Sequence, residues 1–282
     1  MSKGSVKLVV VSLMLCVVAI EDRASAEPLR VMPLGDSITW GYPFQAAGGY
    51  RTRLWQDFGS DPARLDFLGS RSDGPPELGD KDHEGHSGYT IAREPGVFVG
   101  NITDRVALYL AATINPDVIL LMIGSNDINF NYRADGAPGR LDHLVSLISD
   151  RSSGVKPNAY LIVASLPPIN DADPTYRPTP TDFERNTRAI AFNATIPGIV
   201  AIHRDRGERV YFLDMNSQLS FADLVDGLHP TQAGYRKMAD AWYNSIQNVP
   251  EPDMVLSAWA VGLAISCRSM RRAPIRDAKV LR

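Results

Sequence analysis

The sequence predicts an α/β domain in which a parallel β-sheet is covered by helices on both faces. Short apolar runs alternate along the chain with longer stretches in which apolar residues recur at helical spacing. The chain has 282 residues, of which 44% are hydrophobic and 22% charged, as is typical of a globular protein. This length allows one sizeable domain, and the chain contains no internal repeat.

The apolar runs and the amphipathic stretches give the expected order of elements. Strands are predicted at residues 29–34, 65–68, 118–123, 160–165 and 210–213. Helices are predicted at residues 50–58, 102–112, 140–151, 182–204 and 231–247. Residues 70–91 are rich in Gly, Pro, Asp and His and have no clear period, so we predict a functional loop over the sheet.

The first 26 residues predict a cleaved signal peptide. Lys3 and Lys7 precede an apolar run over residues 8–20, and the small residues Ala24-Ser25-Ala26 follow it. This order matches a signal peptidase substrate, and the run is too short to span a membrane. We therefore expect export, with one folded domain spanning residues 27–248.

The C-terminal segment, residues 249–282, differs in character from the domain. Val249-Pro250-Glu251-Pro252 leads into an apolar run over residues 254–267, and a cluster of arginines follows. This segment resembles the PEP-CTERM sorting signal of bacterial envelope proteins, which implies the sorting machinery of the cell envelope as a partner. A plain anchor or an amphipathic tail that contacts the membrane through residues 254–267 is the alternative.

Charge and cysteine content exclude several classes of protein. The formal net charge is −3 and basic residues do not cluster in the middle of the chain, so we expect no nucleic-acid partner. Cys16 and Cys267 both lie in the terminal segments. The domain therefore has neither a disulfide framework nor a cysteine nucleophile.

Ser37 is the candidate nucleophile. The first predicted strand runs directly into Gly35-Asp36-Ser37, and ligands of parallel sheets bind beyond the carboxyl ends of the strands. A tight turn there exposes the serine hydroxyl, and the backbone amide of the same residue can face the substrate. Taken alone, this tripeptide is weak evidence, because a serine at a helix N-cap is the more common explanation.

His229 is the candidate general base, with Asp226 as its acid partner. Both lie in Asp226-Gly227-Leu228-His229-Pro230, which follows the last predicted strand. Gly227 lets the chain double back so that the carboxylate meets the imidazole, and Pro230 suits the first turn of the next helix. An exposed turn histidine is the alternative, which the pairing with Ser37 disfavours.

Two further residues are candidate donors to an oxyanion. Asn126 follows the third predicted strand, and Gly88 in His86-Ser87-Gly88-Tyr89 offers an unshielded backbone N–H. Together with the amide of Ser37 they form a plausible three-donor oxyanion hole. A turn asparagine and a loop glycine are the alternatives.

Jointly these blocks resemble the SGNH hydrolase superfamily, in which Ser37, Gly88, Asn126 and His229 would be the four name-giving residues. The resemblance covers about residues 29–248. It implies a flavodoxin-like three-layer α/β/α sandwich with a central parallel five-stranded sheet. It also implies that the serine attacks an ester, the histidine accepts its proton, and the glycine and asparagine hold the oxyanion, without a cofactor.

A closer resemblance is to acetyl xylan esterases of carbohydrate esterase family 3. It rests on the segments 30–39, 48–51 (Gly-Gly-Tyr-Arg), 78–88 and 226–230. It implies an acetylated polysaccharide such as xylan as the substrate. Four aromatic residues flank the predicted site and can pack either on sugar rings or in the core: Trp40, Tyr42, Phe44 and Tyr89.

Three other functions are alternatives to a serine esterase. His83-Glu84-Gly85-His86, with Asp80 and Asp82, carries metal-ligand residue types, but its spacing and glycines disfavour a catalytic metal site and favour a structural ion over it. A lipid or thioester hydrolase of the same fold would share the mechanism. A non-catalytic cell-surface carbohydrate-binding module is disfavoured because all five candidate residues are intact.

Overall fold

The computed structural model describes residues 27–44, 47–112, 115–149, 159–179 and 181–249. The strands are β1 (Leu29–Gly35), β2 (Leu65–Phe67), β3 (Arg71–Ser72), β4 (Asp82–Gly85), β5 (Val118–Met122), β6 (Tyr160–Ala164) and β7 (Val210–Leu213). The α-helices are α1 (Ser37–Trp40), α2 (Tyr50–Asp57), α3 (Val106–Ala112), α4 (Ser125–Asn129), α5 (Ala137–Ser149), α6 (Arg185–Asp205) and α7 (Gln232–Asn248). The predicted signal peptide, and the C-terminal segment from Pro250 onwards, lie outside the described residues.

The strands form one sheet in the order β3-β4-β1-β5-β6-β7, and β2 also pairs with β1. β2 pairs with the first residues of β1, and β4 pairs with the last residues of β1. β2 and β4 therefore lie along the same side of β1. All neighbouring strands are parallel except β3, which is antiparallel to β4. The five predicted strands are therefore present in one parallel array, β2-β1-β5-β6-β7, with β5 at its centre.

Helices cover this sheet in two groups. β5 and β6 are buried along their whole length, so both of their faces are covered. In one group α2 packs against α7, and in the other α5 packs against α3 and α6. The three-layer α/β/α architecture is thus confirmed. Among the described helices, none combines the length and the apolar character needed to cross a bilayer.

The segment over residues 70–91 differs from its prediction, because it contains β3 and β4 rather than only loop. β4 reads Asp-His-Glu-Gly, yet His83 and Glu84 are both fully buried. Local hydrogen bonds compensate for this burial: His83 Nδ1 accepts from the amide of Gly85 at 2.9 Å, and Glu84 accepts from Ser70 and pairs with His86. Hydrophobic periodicity does not detect a strand made of buried polar residues.

Candidate active site

Ser37 lies at the carboxyl end of β1, as the first residue of α1, and is 4% exposed. The carboxylate of Asp36 caps this short helix by accepting from the amide of Ile38 at 3.0 Å. Burial raises the pKa of Asp36, and the bond from Ile38 opposes that rise. The cap role therefore belongs to Asp36, which leaves the hydroxyl of Ser37 free for another contact.

The partner of Ser37 is His229, 192 residues later in the chain. The Oγ of Ser37 lies 3.0 Å from Nε2 of His229, and Nδ1 of His229 lies 2.8 Å from the carboxylate of Asp226. The same carboxylate accepts the backbone amides of Leu228 and His229 at 3.0 and 2.7 Å. The structure thus brings together the three residues predicted for nucleophile, base and acid in the geometry of a catalytic triad.

The charge on Asp226 determines which nitrogen of the His229 imidazole carries the proton. Burial raises the pKa of this carboxyl, but the bonds from the His229 ring and from the two backbone amides outweigh it, so the pKa lies below its usual value. The carboxylate therefore remains ionised at neutral pH and accepts a hydrogen bond from the Nδ1–H group of His229. Nε2 is then the unprotonated nitrogen that can accept the hydroxyl proton of Ser37.

Gly227 makes this turn possible. Its φ is +81°, a backbone conformation that favours glycine, and a Cβ at this position would lie 2.7 Å from the Cβ of Asp173. The chain doubles back at Gly227 as the sequence predicted, which returns the imidazole of His229 to the carboxylate of Asp226.

The two candidate oxyanion donors follow β4 and β5, the two strands that flank the end of β1, and so lie at the same edge of the sheet as Ser37. The end of β1 pairs with the end of β4, and the amide of His86 donates to the carbonyl of Gly35 at 2.9 Å. The loop that contains Gly88 therefore begins beside the end of β1, two residues before Ser37. Asn126 lies in α4, just after β5, the other neighbour of β1. Its Nδ2 donates to the carbonyl of Tyr89 at 2.8 Å, so one N–H of that amide group remains for a ligand.

Two tyrosines enclose the imidazole. The ring of Tyr42 is centred 4.5 Å from that of His229, and the ring of Tyr176 stands perpendicular to it at 4.6 Å. His229 is fully buried as a result. Tyr42 is one of the four aromatics that the sequence placed near the site, whereas Trp40 donates its indole N–H to Asp73 and Phe44 and Tyr89 pack against the core.

The position of Tyr176 depends on Arg185, a fully buried residue at the start of α6. Its guanidinium donates to the backbone carbonyls of Asn170, Asp173 and Tyr176 at 2.8, 3.3 and 3.3 Å. It also pairs with the carboxylate of Asp171 at 3.2 Å, which compensates the buried charge. Neither Arg185 nor Tyr176 stands in a motif, so the sequence offers no signal that connects them with the site.

Among the described residues, those with metal-ligand side chains around β4 do not form a metal site. Burial, together with Arg51 and Arg71, lowers the pKa of His83 to about 2. Glu84 lies 2.7 Å from Nε2 of His86, whose ring stacks between Tyr89 and Tyr109. Over the ranges that the structure describes, no three histidine, cysteine or acidic residues come together as a group that could hold a metal ion.

Comparison with known proteins gives the family. The GDSL-like Lipase/Acylhydrolase family matches the chain over residues 34–237, which is well over half of its length. The chain belongs to this family. Its membership confirms the resemblance to SGNH hydrolases and supports the prediction of a carboxylic ester hydrolase.

Carbohydrate esterases of known structure are similar to the chain. A family 3 carbohydrate esterase from Clostridium thermocellum is 34% identical, with a TM-score of 0.59 over 77% of this chain and 94% of that one. A family 3 carbohydrate esterase from Talaromyces cellulolyticus is 25% identical, with a TM-score of 0.59 over 77% and 96%. These structures confirm the likeness to carbohydrate esterase family 3.

A multidomain esterase from Ruminococcus flavefaciens is 28% identical to the chain over 243 residues. The match covers 79% of this chain but only 29% of that relative. The chain thus corresponds to less than a third of the multidomain protein.

Proposed function

We propose that the chain is a serine esterase that removes O-acetyl groups from a polysaccharide such as xylan. The observation that carries the proposal is the hydrogen-bonded series from Ser37 through His229 to Asp226, with contacts of 3.0 and 2.8 Å. The identity of 34% with a family 3 carbohydrate esterase supports an acetylated sugar as the substrate.

In the first half of the reaction the acetyl group moves to Ser37. Its Oγ attacks the carbonyl carbon of the ester while the hydroxyl proton passes to Nε2 of His229. The charge that forms on the carbonyl oxygen is held by the N–H groups of Ser37 and Gly88 and by Nδ2 of Asn126. When the bond to the sugar oxygen breaks, Nε2 gives its proton to that oxygen, and the deacetylated sugar leaves.

In the second half water releases the acetyl group. Nε2 of His229 takes a proton from a water molecule as its oxygen attacks the acetyl carbon. The tetrahedral intermediate collapses, Ser37 regains its proton from Nε2, and acetate leaves. Through both halves the ionised Asp226 stabilises the positive charge that the imidazole carries.

The surroundings of Ser37 support a small acyl group over a long one. Ser37 is 4% exposed, and the rings of Tyr42 and Tyr176 enclose the histidine beside it. A lipid or thioester hydrolase must instead hold a long apolar chain next to the nucleophile. Rates on chromogenic esters of increasing chain length distinguish the two, and we expect acetate esters to react fastest.

The proposal is tested by measuring acetate release from acetylated xylan, alongside acetylated chitin-type and peptidoglycan-type polymers. We expect xylan to be the best of the three substrates. Labelling by a fluorophosphonate probe separates an enzyme from a carbohydrate-binding module that has lost activity. A chain that takes up no probe and releases no acetate would exclude an esterase.

Removing the side chain of Asn126 tests the oxyanion hole. Asn126→Ala deletes one donor to charge that develops only in the transition state, so kcat should fall by about 10² to 10³ with KM little changed. Asn248→Ala is the matched control, because that amide also donates to a backbone carbonyl, but on the exposed end of α7. A folded Asn126→Ala enzyme with the kcat of the wild type would contradict the assigned role.

The proposed location is the outside of a bacterial cell, with retention at the envelope. The signal-like residues 1–26 and the apolar, arginine-flanked segment after Val249 support this. In cell fractionation, a chain truncated after Gln247 should appear as active enzyme in the medium, while the full chain stays with the envelope. Identical partition of the two chains would count against a sorting or anchoring role.

A further inference from the structure

Phe98 is the most exposed large hydrophobic residue in the part of the chain that the structure describes. It is 97% exposed, whereas Phe183 and Leu108, the next in order, are 61% and 58% exposed. Single apolar residues on a surface are common, and exposure alone does not indicate a site. The argument therefore depends on how the segment around Phe98 is held and where it lies.

The segment that carries Phe98, residues 91–100, is closed at its base and is called the Phe98 loop below. Thr90 forms a bridge with Asn101, and the amide of Thr90 donates to the carbonyl of Gly100 at 3.0 Å. Within the loop, Glu94 forms a 2.6 Å ion pair with Arg140. Arg140 also pairs with Asp127, the residue after Asn126, so the loop is anchored to the helix of the predicted oxyanion donor.

The Phe98 loop begins and ends beside the predicted oxyanion hole. A Cβ placed on Gly100 would lie 2.2 Å from the ring of Tyr89, so that ring rests directly on the returning end of the loop. Tyr89 follows Gly88, and its carbonyl accepts from Asn126 at 2.8 Å. Since Phe98 is two residues from Gly100, their Cα atoms are at most about 7.6 Å apart.

We propose that Phe98 is a platform for a sugar ring of the polymeric substrate, on the Gly88 side of Ser37. This inference rests on the proposed function and deepens it. An acetyl group fills only the space at the nucleophile, and the rest of an acetylated chain must pass over the surface next to it. An aromatic face offers the apolar C–H face of a pyranose a flat, uncharged contact.

The charge and size of the exposed surface favour a sugar chain over other occupants. The two charged residues of the loop are paired, Arg93 with Asp104 and Glu94 with Arg140, so the loop offers no free charge to an anionic lipid surface. One aromatic side chain buries about 150 to 250 Å². A stable protein interface needs about 800 Å² on each partner, which Phe98 and its neighbour Val99 do not approach.

The test compares a polymer with a small ester that has no sugar ring to place on Phe98. For the full chain, Phe98→Ala should lower kcat/KM on acetylated xylan about 5- to 30-fold, mainly through KM. Hydrolysis of p-nitrophenyl acetate should stay within about twofold of the wild type. Phe98→Trp should preserve activity on the polymer, and Leu108→Ala, which removes an exposed apolar side chain from α3, should change neither substrate.

Several outcomes would overturn the platform. Unchanged kinetics of Phe98→Ala on the polymer would do so, as would an equal loss on both substrates, which would indicate damage to the active site. Unchanged polymer kinetics combined with reduced self-association in sizing experiments would assign Phe98 to contacts between copies. A wild-type enzyme that hydrolyses p-nitrophenyl acetate but no acetylated polymer would instead refute the proposed substrate, so the two failures are distinguishable.

Discussion

A Ser37→Ala variant is expected to fold and to lose turnover by a factor on the order of 10⁶. The hydroxyl is the group that would form the covalent bond to the acetyl carbon, and no other hydroxyl is hydrogen-bonded to His229 in the described part of the chain. Its contribution to stability is small, because the substitution removes one hydrogen bond and no apolar packing. Turnover of p-nitrophenyl acetate and the thermal midpoint together measure both effects.

Ser146→Ala provides the matched control for that experiment. Its hydroxyl donates to the carbonyl of Asp142 within α5, away from the candidate site, so the substitution also deletes one serine hydrogen bond. We expect full activity and a similar thermal midpoint. If folded Ser37→Ala enzyme kept more than a small fraction of the wild-type turnover, a serine nucleophile at this position would be excluded.

An Asp226→Asn variant is expected to lose about 10⁴ in kcat. An amide in place of the carboxylate can donate to Nδ1 of His229, which leaves the proton on Nε2, where it blocks transfer from Ser37. The amide also carries no charge to stabilise the imidazolium. Since the pKa of Asp226 lies below its usual value, the wild-type carboxylate is charged across the neutral range, and the loss should persist over that whole range.

Asp214→Asn controls for the loss of a carboxylate that accepts local hydrogen bonds. Asp214 accepts from the hydroxyl of Ser165 and from the amide of Ser217, and neither bond involves the candidate triad. The control should retain wild-type kcat. A folded Asp226→Asn enzyme within about tenfold of the wild type would show that His229 is oriented chiefly by other contacts, and would remove Asp226 from the proposed mechanism.

The sequence predicted those functional residues that lie in a recognisable local pattern, such as a turn after a strand. Ser37 lies two residues after Gly35, where an apolar strand ends, and His229 precedes Pro230, so both turns could be recognised. The structure brings them to 3.0 Å despite their separation in the chain. Gly88 has φ +79°, the conformation that favours glycine, which gives a structural reason for the residue type at that position.

Other parts could not be predicted, for physical reasons. β4 consists of polar residues whose burial is compensated by partners such as Ser70 and Gly85, and those contacts have no signature in the pattern of hydrophobicity. Arg185 stands near the start of a helix, where an arginine is usually solvated. Its burial becomes evident only when the loop over residues 170–176 is folded around it. The contact between Tyr176 and His229 depends on that folding in turn.

The anchoring of that loop determines how far its own sequence can vary. Arg185 holds it largely through the main-chain carbonyls of Asn170, Asp173 and Tyr176, and every amino acid provides such a carbonyl. Side chains along the loop other than that of Asp171, whose carboxylate pairs with Arg185, can therefore be exchanged while the path of the backbone past His229 is kept. The loop beside His229 is thus open to diversification by libraries that leave Arg185 and Asp171 in place.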